Sequence, residues 1–183
     1  MRLFTAVTLG RDIETRVTQE LVRLRELAPR ARWVRVEGLH LTLLFLGEVD
    51  RARLAELRAA LLPLGTRHAP FTLSVGGGGS FGQPAHPRVL WADVRGDIAA
   101  LKALQADTAA ALLPLGFKSD YEDYAPHLTL ARGKEHGDAD LVQCVEALAG
   151  STLGEGRVDR LILFESQGAH YVPRVEVPLT RAP

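Results

Sequence analysis

The sequence predicts an α+β fold built from two duplicated β-α-β-β-α-β lobes, with mainly antiparallel sheets around a central groove and an approximate two-fold axis between the lobes. Three observations predict it. The tetrapeptide His40-Leu41-Thr42-Leu43 returns as His127-Leu128-Thr129-Leu130. Five predicted elements recur at one offset of 86 or 87 residues. Apolar residues also change periodicity repeatedly, from alternation to helical spacing and back. The internal repeat covers roughly residues 1–80 and 88–170, within a single bilobal domain spanning 1–183.

Leu3 to Leu9 reads as the first strand, and Asp12 to Leu27 as an amphipathic helix whose Val17, Leu21, Leu24 and Ala28 recur at helical spacing until Pro29 stops it. Trp33 to Val36 is a short strand, Gly38 a turn, and His40 to Leu46 a strand ended by Gly47. Arg51 to Leu62 is helical and closed by Pro63 and Gly65, and Phe71 to Val75 is a strand running into the Gly76–Gly79 run. In the second half, Val89 to Val94, a helix from Ile98, His127, a helix from Asp138, and Val158 to Phe164 repeat that order. Tyr171 to Leu179 is a final strand without a counterpart, expected to return to one lobe's sheet. A second repeated string, Leu61 to Gly65 and Leu112 to Gly116, has an offset of 51 and is helix-stop chemistry outside the lobe repeat.

Composition narrows the function classes. A chain of 183 residues, 46% hydrophobic and 24% charged, is ordinary for a globular protein. Its net charge of zero argues against non-specific coating of nucleic acid, which needs many phosphates neutralised together. The 22 basic residues are 19 Arg and 3 Lys, with a local excess from Arg16 to Arg35 that reads as a solvated helix surface or a phosphate-tracking face. The single cysteine, Cys144, excludes an internal disulfide or multi-cysteine zinc site and reads as a small buried hydrophobe. The opening apolar run is too short for a membrane span, so a soluble, cytoplasmic chain is expected.

The repeated tetrapeptide carries the chemistry. In a strand, side chains alternate between faces, so His40 and Thr42 share one face about 6.6 Å apart while Leu41 and Leu43 point the other way. His127 and Thr129 behave alike. Each copy therefore offers an imidazole, which exchanges protons near neutral pH, and a hydroxyl to one groove.

These residues and their surroundings resemble the two-histidine phosphoesterase superfamily, and within it the RNA 2′,3′-cyclic phosphodiesterases first known as 2′-5′ RNA ligases. The resemblance rests on Arg2-Leu3-Phe4, Arg32-Trp33-Val34, Leu39 to Gly47, Phe81-Gly82, Pro87 to Trp91, and Pro126 to Arg132. It departs at Arg35-Val36-Glu37-Gly38, where the family often has a proline-containing turn ending in Asn. The resemblance implies hydrolysis of RNA 2′,3′-cyclic phosphate ends to a 2′-phosphate, with His40 as proton donor to the 3′-oxygen and His127 as the base that activates water. Ligation through a 2′-5′ linkage would be the reverse reaction.

The residues fit that chemistry independently. Opening a cyclic phosphate needs a base for the attacking water and an acid for the departing oxygen, on opposite sides of phosphorus. Two imidazoles can hold opposite protonation states near neutral pH, though the sequence makes their roles interchangeable. Thr42 and Thr129 can hold the non-bridging oxygens, and no clustered carboxylates suggest a metal; no cofactor is expected. Arg132 resembles the family's phosphate-contacting arginine, yet strict alternation puts it opposite His127, so it serves only if the strand twists or ends at Ala131. The position matching it in the first copy is Phe45. Phe45, Trp33, Phe81 and Tyr124 are aromatic candidates to support a base, with core packing as the competing reading for the last three.

Other features read as bystanders. His68, His86, His136 and His170 lie in apparent exposed loops. Gly76 to Gly82 matches both G-x-G-x-x-G and G-x-S-x-G, but neither match opens a helix, so the stretch reads as a flexible connection between lobes. Two alternatives to the leading function stay open. The site can act on small cyclic nucleotides or 2′-5′ oligonucleotides, or the groove can bind nucleotides without turnover. The expected partner is an RNA end or nucleotide carrying a 2′,3′-cyclic phosphate, and the expected state a monomer.

Overall fold

A computed structural model describes residues 1–119, 124–168 and 170–182. The chain begins with β1 (Arg2–Val7) and α1 (Arg11–Leu27), whose buried stripe Ile13, Val17, Leu21 and Leu24 follows the helical period. A short β2 (Arg32–Trp33) leads into a 3₁₀ turn at Val36–Gly38 and then β3 (Leu41–Glu48). Of the strand expected over Trp33–Val36, only Trp33 lies in β2, and Val36 already begins the turn. After a 3₁₀ turn capped by the Asp50 carboxylate come α2 (Leu54–Leu61), β4 (Phe71–Gly76), β5 (Gly79–Gln83) and β6 (His86–Gly96). The second half continues with α3 (Ile98–Leu112), β7 (His127–Arg132), α4 (Asp140–Leu148), β8 (Thr152–Val158), β9 (Arg160–Gln167) and β10 (His170–Pro178).

The strands form two sheets, ordered β10-β9-β1-β3 and β2-β7-β6-β4-β8, with β5 added alongside β6, and every pairing is antiparallel. The final strand joins the first sheet, as expected. Each sequence half does not, however, build its own sheet. By the repeat, β1, β3 and β4 correspond to β6, β7 and β9, yet β4 pairs with β6 and β9 pairs with β1. The helices follow the same exchange: α1 packs on β8 and α4, whereas α3 packs on β3 and α2. Chain connectivity accounts for it. The short β4-β5-β6 link keeps β4 beside β6, while only Asp159 separates β8 in one sheet from β9 in the other. The stretch read as Val158 to Phe164 is thus the junction of two strands.

One continuous cluster of buried apolar residues joins both sheets, running from Leu3 and Leu43 through Leu104 to Leu130 and Leu163. Ile98–Leu115 is long and apolar enough to cross a membrane by length and composition alone. In this fold it carries the fully buried Leu101, Leu104 and Leu112 against the first sheet. The glycine run is the end of β4, a two-residue link at Gly77 and Gly78, and the start of β5, within one sheet rather than between lobes. A Cβ on Gly78 would lie 2.7 Å from the Leu148 side chain, and one on Gly79 would lie 2.3 Å from the Trp91 indole. These glycines allow close packing, which explains both misleading motif matches.

Candidate active site

The two tetrapeptides lie on β3 and β7, and their alternation is the one the sequence predicts. Leu41, Leu43, Leu128 and Leu130 are fully buried, while His40, Thr42, His127 and Thr129 are half-buried on the other face. Tyr124, which precedes His127 by three residues, donates its hydroxyl hydrogen to the Thr42 carbonyl at 2.8 Å. This bond ties the approach to β7 directly onto β3, bringing the two copies to one cleft.

Both imidazoles are fixed in the same way. His40 Nδ1 lies 2.6 Å from the Gly38 carbonyl, and His127 Nδ1 lies 2.9 Å from the Ala125 carbonyl. A carbonyl only accepts, so each Nδ1 carries hydrogen and each Nε2 is left to exchange a proton with a bound molecule. The carbonyl two positions before each histidine thus sets its tautomer.

Aromatic rings then fix the planes. His40 packs against Phe4 at 4.8 Å and Tyr171 at 4.9 Å, and His127 against Phe81 at 4.8 Å and Trp91 at 6.5 Å. Tyr171 lies so close over Gly38 that a Cβ there would meet its ring at 2.9 Å. Burial by these rings holds the His40 pKa below the ordinary 6.5; the Gly38 carbonyl opposes the shift, and the positive Arg132 guanidinium reinforces it.

That Arg132 acts on His40 corrects the alternation argument. The β6–β7 register runs from Trp91 opposite Thr129 to Leu90 opposite Ala131, so Leu130 is an extra residue in a β-bulge. Leu130 and Ala131 are both buried, and Arg132 emerges exposed on the face of His127 and Thr129. β3 has the matching bulge at Leu43, since Ala6 faces Thr42 and Thr5 faces Leu44, and there Phe45 emerges. The displaced carbonyls are satisfied: Leu43 accepts from Gln105 Nε2 at 3.3 Å and Leu130 from the Val34 amide at 3.0 Å. One face of the cleft therefore ends in an arginine and the other in a phenylalanine.

The aromatic candidates separate clearly. Trp33 donates its indole hydrogen to the Ala28 carbonyl at 3.0 Å, and Tyr124 is buried, so both are structural. Among the described residues six large apolar side chains are exposed, and Phe45, Phe81 and Tyr171 of these belong to the motif face. Sequence reasoning missed Tyr171 and Trp91 as site residues. Trp91 comes to the site through the register that sets it opposite Thr129, which no local pattern shows, and Tyr171 lies on the unmatched strand and left no signal.

The remaining expectations sort similarly. His86, His136 and His170 are exposed, but His68 is not: its side chain is 11% accessible and its Nε2 lies 2.9 Å from Asp107. Arg16, Arg23 and Arg25 lie on the solvent side of α1, and Arg30 is exposed beyond its end. Cys144 is buried, and desolvation pushes its thiol up to about 11, which leaves it unreactive at neutral pH. Among the described residues no three His, Cys, Asp or Glu side chains group as metal ligands would.

A duplicated α+β fold presenting a histidine and a threonine from each of two equivalent strands defines a two-histidine phosphoesterase. Comparison with known proteins gives the family: a sequence model of the 2′-5′ RNA ligase superfamily matches residues 13–170, and the chain belongs to that superfamily. An RNA 2′,3′-cyclic phosphodiesterase of Archaeoglobus fulgidus is 34% identical over 91% of this chain and 91% of its own length. One of Geobacillus stearothermophilus is 37% identical over 74% of this chain, a stretch that spans 43% of that protein. The solved structure of TT0787 of Thermus thermophilus superposes with a TM-score of 0.78 at 26% identity, covering 98% of both chains.

Proposed function

We propose that this protein opens 2′,3′-cyclic phosphates at RNA ends, leaving a 2′-phosphate, by proton transfer between two histidines. The observation that carries the reading is the matched pair of imidazoles, each with Nδ1 held by a carbonyl two residues before it, which leaves Nε2 for proton transfer. The relatives named RNA 2′,3′-cyclic phosphodiesterase support the substrate class. His127 accepts the proton of the attacking water. His40 donates to the departing 3′-oxygen through the Nε2 that its Nδ1 bond to Gly38 leaves available. The Thr42 and Thr129 hydroxyls and the Arg132 guanidinium hold the non-bridging phosphate oxygens as charge shifts between them. Exposed Phe45, Phe81 and Tyr171 offer faces for unpaired bases.

The two imidazoles supply both proton transfers, so the reading needs no metal or cofactor. The exchanged strands and helices bury each half against the other, which supports a monomer. A single buried cysteine is in keeping with a reducing, cytoplasmic setting.

The test is hydrolysis of a short RNA ending in a 2′,3′-cyclic phosphate, in EDTA, with 2′- and 3′-phosphate products resolved. The expected result is 2′-phosphate, a bell-shaped pH profile, and a loss of about 10²–10⁴-fold in kcat for His40→Ala and for His127→Ala. Turnover unchanged in both variants would overturn the assignment.

A further inference from the structure

The arginine-rich stretch from Arg16 to Arg35 divides in the structure. Arg16, Arg23 and Arg25 face solvent on α1, but Arg32 lies in β2, the edge strand of the second sheet, directly opposite Arg132 of β7. Directly opposed residues of an antiparallel pair point to one face. The next pair, Trp33 with Ala131, packs toward the core, so Arg32 stands with Arg132 on the face that carries His127 and Thr129.

Like charges directly opposite each other destabilise a sheet. Among the described residues neither guanidinium has a carboxylate in an ion pair to offset this. Arg32 Nη2 donates to the Gly133 carbonyl at 3.3 Å, which sets its guanidinium past Arg132, at the end of β7 away from His127. A guanidinium has five N–H donors, so the others remain for a ligand. The row is also one-sided. At the matching bulge of the first sheet Phe45 pairs with Phe4, and that rim is aromatic and uncharged.

We propose that Arg32 binds the phosphodiester immediately 5′ of the nucleotide that carries the cyclic phosphate, and so makes the protein select an RNA chain over a free cyclic nucleotide. The inference rests on the reading of the cleft as a cyclic phosphodiesterase site with Arg132 on the reacting phosphate. A 2′,3′-cyclic phosphate is the 3′ end of its strand, so every other phosphate lies on its 5′ side. Paired residues start about 4.5–5.5 Å apart at Cβ, and two arginine side chains from there reach successive phosphates of one strand. The second phosphate then offsets the repulsion between the two guanidiniums. Forked N–H donors suit phosphate oxygens, and holding so few phosphates does not call for a positive net charge, which this chain lacks.

The test compares three substrates: uridine 2′,3′-cyclic phosphate, the dinucleotide UpU ending in the same cyclic phosphate, and that dinucleotide with a neutral methylphosphonate replacing its internal phosphodiester. Wild type should favour the charged dinucleotide over the neutral one by about three- to tenfold in kcat/KM, between the effect of an exposed ion pair and that of a shielded charged hydrogen bond. Arg32→Gln should abolish that preference through KM and leave the mononucleotide unchanged. In the same variant the slope of log 1/KM against log salt, for the charged dinucleotide, should become shallower by about 0.7, the share of one single-strand phosphate. Arg32→Lys, which keeps the charge, should restore most of the preference. A wild type indifferent to the methylphosphonate, an Arg32→Gln variant that keeps the preference, or an equal loss on mononucleotide and dinucleotide would overturn the assignment; the last would make Arg32 a support for β7 alone. A wild type that hydrolyses none of the three would instead overturn the function on which this inference rests.

Discussion

Replacing Arg132 tests whether the bulge at Leu130 decides the chemistry of the cleft. With strict alternation Arg132 would leave the face of His127; with the bulge it emerges there and its charge reaches His40. Arg132→Gln removes a charge-assisted contact to phosphate, worth about 1.5–3 kcal/mol, so kcat/KM on a 2′,3′-cyclic nucleotide should fall by about 10- to 150-fold. The same change removes a positive charge that disfavours the imidazolium, so the His40 pKa should rise. Arg132→Lys separates the two effects. It keeps the charge, and with it most of the influence on His40, but loses the forked geometry for phosphate oxygens. The assay pairs steady-state kinetics with titration of the His40 ring protons by NMR in the substrate-free protein. A kcat/KM equal to wild type, with an unmoved His40 titration in Arg132→Gln, would refute the argument from the bulge.

Tyr171→Ala should also raise the His40 pKa toward 6.5, because it exposes one ring face and relieves the burial that disfavours charge; the limb of the pH profile governed by His40 should move to higher pH, and an unchanged NMR titration would count against it. Gly79→Ala places a methyl 2.3 Å from the Trp91 indole, an overpacking that should cost about 1–3 kcal/mol; thermal melting measures it, and a wild-type midpoint with unshifted tryptophan emission would show that the ring yields freely.

The sequence by itself determined the candidate pair of histidines and the type of fold. Period-two alternation around His40 and His127 put each histidine with its threonine and each leucine pair in the core, because strand geometry leaves no other choice for such a pattern. A constant offset then identified the two copies as equivalent, and the helical spacing of Val17, Leu21 and Leu24 located α1 almost to its observed ends. These are local properties, set by a few neighbouring residues. What depends on register between distant strands was not legible. The bulges at Leu43 and Leu130 invert the facing of Phe45 and Arg132, and a bulge is defined only against its partner strand, β1 or β6. Tyr171 reaches His40 because β10 pairs with β9, which itself pairs with β1 of the opposite half. His68 meets Asp107 of α3, 39 residues away in sequence, a partner that no local pattern shows. Even the exchange of β4 and β9 between halves shows only in the assembled sheets, where the short links beside these strands set each against a strand of the other half. The sequence named the reactive groups; tertiary structure decided which face, which partner and which charge each of them meets.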